Sequence, residues 1–98
     1  MFKLKQTGPE RGDCTAPYDV ILDKPYTVKE FISAVLTERS DEWGSIGIDN
    51  GHTIFGSPRM DYKKGVGEYE PLKSFFDKPV KSATASGGWT RMDYLLTV

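Results

Sequence analysis

The chain is nearly without cysteine and histidine: Cys14 and His52 are the only ones in 98 residues. One cysteine excludes an intrachain disulfide, the staple that small secreted domains often need. One cysteine and one histidine also leave a structural zinc site short of ligands. A surplus of either charge is lacking as well. Thirteen Lys and Arg stand against fourteen Asp and Glu, a formal net charge of −1. No global basic field therefore draws nucleic acid or an anionic membrane. No apolar run approaches the ~18 residues that span a bilayer. Met1-Phe2-Lys3-Leu4-Lys5-Gln6 lacks the apolar stretch of a secretory signal. These absences predict a cytoplasmic domain with no cofactor, no metal and no membrane partner.

What is present suits one globular domain over 1–98, with 38% apolar and 28% charged residues. Residues 27–39 carry the strongest local pattern. Val28, Phe31, Ile32, Val35 and Leu36 fall on one helical stripe. Thr27 and Glu30 form a capping box, and Tyr26 with Phe31 a hydrophobic staple around it. A helix with one apolar face belongs on a sheet.

Strand patterns surround it. Residues 2–6 alternate apolar and polar, and 18–22 place Tyr18, Val20 and Leu22 on one face. Between them, 7–17 is Gly- and Pro-rich loop chemistry. Residues 44–48 and 52–55 read as strands joined by the Asp49-Asn50-Gly51 turn. Gly56-Ser57-Pro58 interrupts the return through a turn or bulge, and 59–63 resume it. Pro71 and Pro79 bracket a segment that is a one-turn helix or a loop. Residues 80–85 and 89–98 end the chain as strands, with Met92, Tyr94, Leu96 and Val98 inward. The expected fold is α+β: about five strands in an antiparallel or mixed sheet, with the main amphipathic helix (27–39) on one face. The opposite face is solvated, covered by 66–79, or used for binding.

One internal echo stands out. Arg-Met-Asp-Tyr occurs at 59–62 and again at 91–94. If the copies pair antiparallel, Arg59 faces Asp93 and Asp61 faces Arg91.

Candidate chemistry is sparse. His52 beside a tight turn reads first as an exposed turn residue, and Cys14 in a loop as a passive thiol. An enzyme built on His52, Asp61 or Cys14 needs two of them to converge in a pocket. Gly65-Val66-Gly67 and Gly87-Gly88 lack the lysine-serine ending of a phosphate loop. Arg59, Lys63, Lys64 and Arg91, beside aromatic rings, form the candidate set for nucleic acid, and balanced charge opposes that reading. Trp43 and Trp89 each adjoin glycine, which makes room for a large ring. Core packing is the simpler account of both. The functional account is a partner-binding patch of Trp43, Trp89, Arg59, Tyr62, Arg91 and Tyr94, because Trp, Tyr and Arg dominate interface energetics.

Two stretches carry a resemblance. They are Lys29-Glu30-Phe31-Ile32 running to Glu42-Trp43-Gly44-Ser45-Ile46-Gly47-Ile48, and Ala85-Ser86-Gly87-Gly88-Trp89-Thr90-Arg91-Met92-Asp93-Tyr94. Together they resemble a group of small hypothetical proteins of gut bacteria, some carried on mobile elements. The resemblance implies a bacterial cytoplasmic origin and a stable single domain. It brings no catalytic residues, and loop 7–17 lies outside it. The functional expectation is a non-catalytic interaction or accessory module, with nucleic-acid binding and a small enzyme as alternatives.

Overall fold

The computed structural model describes residues 2–12, 14–38, 43–56, 60–61, 72–88 and 91–98. In chain order the elements are β1 (Lys3–Gln6), β2 (Ala16–Ile21), α1 (Val28–Glu38), β3 (Trp43–Gly44), β4 (Ile46–Asp49), β5 (Ile54–Gly56), β6 (Met60–Asp61), β7 (Ser82–Gly87) and β8 (Met92–Thr97). The protein is an α+β domain. Its main sheet has six strands in the order β1-β2-β7-β8-β4-β5, against the expected five or so. The sheet is mixed: β4 and β8 run parallel, and every other pair is antiparallel.

The helix begins where its cap requires. Thr27 N–H donates to Glu30 Oε1 at 3.1 Å, and Glu30 N–H donates to Thr27 Oγ1 at 3.2 Å. The staple is an edge-on contact of the Tyr26 and Phe31 rings, with centroids 6.0 Å apart. The first-turn donors Val28 and Lys29 bond the carbonyls of Lys78 and Phe76. The segment between Pro71 and Pro79 therefore has a structural task. Its one-turn helix at 72–75 carries Leu72 into the core and brings 76–80 across the helix start.

The core lies between α1 and one sheet face. Val28, Phe31, Ile32 and Val35 pack with Ile46, Ile48, Ala83, Ala85, Met92, Tyr94 and Leu96, all buried. Tyr18, Leu22, Leu36 and Val98 sit partly buried at its margin. Strand alternation then sends Lys3, Lys5, Asp19, Ile21, Ser82, Thr84, Ser86, Asp93, Leu95, Asp49 and Ile54 to the other face. The described part of 66–79 packs on the helix side, so among the described residues this second face is uncovered.

Some boundaries move. β2 starts at Ala16, inside the expected loop, because Ala16 pairs Gly87 and Pro17 pairs Ser86. Thr7 N–H donates to the Pro17 carbonyl at 3.0 Å, and proline has no N–H to return, so β1 stops there. His52 and Thr53 belong to the turn rather than to the return strand, since both N–H groups donate to Asn50 Oδ1. Gly51 takes φ 92°, the left-handed geometry expected at this turn.

Candidate partner-binding surface

Two short strands bring the sequence echo to one place. β3 pairs with β6, Trp43 opposite Asp61 and Gly44 opposite Met60. Trp43 also bridges Arg91 in parallel. The same residue offset continues through Ile46–Tyr94 to Asp49–Thr97. Residues 43–49 therefore run as one line beside 91–97. Asp61 and Arg91 flank Trp43 on opposite sides, so at this point the two Arg-Met-Asp-Tyr copies are separated by a strand. The expected direct pairing of the copies gives way to a strand inserted between them.

Asp93 organises the cluster. Ser45 N–H and Ser45 Oγ each donate to Asp93 Oδ1 at 2.9 Å. Arg91 Nε donates to Asp93 Oδ2 at 2.9 Å. Arg91 and Asp93 are two residues apart on one strand, so both project from the open face, and the carboxylate holds the guanidinium there. Trp43 stands beside them at 40% exposure. Packing covers this residue only in part, whereas the simpler expectation was a core ring, because Gly44 and Ile46 take the inward positions of the line. Next to the cluster lies a shallow groove of about 380 Å³, lined among others by Arg11, Asp19, Thr84, Ser86 and Asp93.

The other candidates separate. Tyr94 is 3% exposed and sits under Phe31 and Phe2, with ring centroids at 5.6 and 6.0 Å. Its place between the inward residues Met92 and Leu96 gives it to the core and removes it from the surface set. Trp89, Arg59, Tyr62, Lys63 and Lys64 lie outside the described residues. Arg91 is the one described member of the basic set, and it is paired with Asp93.

Cys14 and His52 do not converge. Cys14 is exposed, has φ 64°, and lies against Gly88 near the start of β8. His52 follows Asp49, which pairs Thr97 at the far end of β8. Six residues of strand, ~20 Å, separate those ends. The backbone of Asp61 is at the Cys14 end, two strands beyond β8. A second hollow of about 380 Å³ adjoins Cys14, Glu10, Gln6 and Gly88.

Two contributors escaped sequence reasoning. In the sequence Ser45 reads only as a strand residue, and Ile54, 64% exposed in the structure, only as part of a return strand. Alternation was the available signal: with Ile46 and Ile48 inward, Ser45 must face outward, and Ile54 opposite Asp49 must do the same. No protein-family model, no curated protein and no solved structure matches this chain.

Proposed function

We propose that the domain is a non-catalytic protein-interaction module that meets its partner with the open face of its sheet, Trp43 as the anchor. One observation carries this reading: a tryptophan on a paired strand, not in a loop, keeps two-fifths of its surface exposed beside an oriented arginine. Trp and Arg are the residues on which binding energy concentrates, and a strand presents them at little ordering cost. Leu95 and Ile54 add apolar surface on the same face. The separation of His52 from Cys14 supports the non-catalytic part. We further propose a bacterial cytoplasmic setting, as an accessory of a mobile element or of a host regulator, on the strength of the sequence resemblance.

The test is capture from the native host with the wild-type chain and with Trp43→Ala, followed by titration of the captured protein. A partner that binds the wild type and loses roughly thirtyfold or more with Trp43→Ala supports the reading. A partner held equally by both chains, or none at all, sinks it.

A further inference from the structure

We infer that β5 is a self-pairing edge, through which two copies of this chain join their sheets about a two-fold axis at Phe55. The direction of its backbone groups follows from the ladder. Asn50 N–H donates to the Thr53 carbonyl at 3.3 Å. Bonded pairs alternate along an antiparallel ladder, so Ile48 and Phe55 bond each other while Ile54 and Gly56 point away. The far flank of β4 agrees. Tyr94 and Val98 donate to the carbonyls of Ser45 and Asp49, which gives the odd residues of that line to β8 and leaves Ile48 for β5.

The outward groups of Ile54 and Gly56 have no partner among the described residues. Among the described residues, chain neighbours aside, no atom lies within 4 Å of a Cβ placed on Gly56. Ile54 is 64% and Phe55 41% exposed. The two edges of the sheet differ in kind. β1 carries Lys3 and Lys5, the usual guard against edge pairing, whereas β5 is Ile-Phe-Gly with no charge.

A second copy fits this edge by symmetry. With the axis at Phe55, Ile54 of each copy faces Gly56 of the other. Both outward N–H groups and both outward carbonyls of each copy then find partners. Ile54 lies against a glycine, where no side chain competes. The two Phe55 rings meet as a close, non-bonded pair on the face where Phe55 already touches Phe75, centroids 5.1 Å apart. A copy meets no like charge along β5, as it would along β1. An edge this short falls below the ~1,000 Å² of a firm interface, so the dimer is weak and grows with concentration.

The test is sedimentation equilibrium from micromolar to millimolar chain, with amide hydrogen exchange on the same samples. The expected result is a mass rising toward the dimer, with the Ile54 and Gly56 amides slowing as it does. Ile54→Lys, at an exposed site that leaves the fold intact by circular dichroism, weakens association roughly tenfold or more. Ile21→Lys and Trp43→Ala, on the open face away from β5, leave it unchanged, which separates this edge from the Trp43 end of that face. A chain monomeric throughout overturns the inference. So does a dimer whose Ile54 and Gly56 amides exchange as in the monomer.

Discussion

The Asp93 carboxylate accepts from the Ser45 N–H, the Ser45 hydroxyl and Arg91 Nε. Its side chain is 22% exposed, against 42% for Arg91. That asymmetry ranks two substitutions. Asp93→Ala strands a half-buried N–H and hydroxyl and should cost about 1–3 kcal/mol. Arg91→Ala breaks one rim ion pair and should cost about 0–1 kcal/mol. Urea unfolding of both decides it, and equal losses would deny Asp93 its organising role. Gly88 gives a second prediction. A Cβ there would run into the Cys14 carbonyl, so Gly88→Ala should destabilise by about 1–3 kcal/mol through overpacking, read from the same unfolding curves. The glycine was legible as special, and the reason was not: room for a neighbouring ring was expected, and the approach of loop backbone is what the position requires. A contact 74 residues away in sequence leaves no local trace.

The helix was the most legible element, because its signals are local. Cap, staple and stripe all lie within residues 26–36, and each is present in the structure. Thr27→Ala removes the side-chain half of the cap and should cost about 1 kcal/mol. Glu30 supplies the other half. Its hydrogen bonds with the Thr27 backbone N–H and side chain hold its pKa below the usual carboxylate value. A carboxylate whose folded pKa is depressed stabilises the fold at pH above its unfolded value, and that increment fades as pH falls through the folded value. Wild type should therefore lose stability to acid more than Glu30→Gln, which keeps the acceptor without titrating. Thermal midpoints of the two chains from pH 7 to pH 3 test this, and parallel curves would reject it. Strand ends were less legible than the helix because they depend on partners. Ala16 and Pro17 look like loop until β7 pairs with them.

Over the whole molecule, class could be read from the sequence and topology could not. A greasy helix among alternating strands specifies a helix on a sheet. It does not specify that the last strand lies beside a strand met 48 residues earlier, in parallel, with β7 on its other flank. Nor does it say that the segment ending at Pro79 returns to the helix start, which leaves the far face uncovered among the described residues. These are long-range choices decided by burial. Met92, Tyr94 and Leu96 all enter the core from β8, between Ala83 and Ala85 on one side and Ile46 and Ile48 on the other. β8 is thus the middle of the sheet as well as its last strand in sequence. Removing residues 92–98 divides the sheet into two pieces and exposes the underside of Phe31 to water. The truncated chain should show no cooperative thermal transition and should bind a hydrophobic dye. Removing Val98 alone gives up one N–H bond to the Asp49 carbonyl and one marginal core contact, about 1–2 kcal/mol, and should keep the transition at a lower midpoint. A cooperative transition in the chain lacking 92–98 would mean that the two halves of the sheet fold without their shared strand.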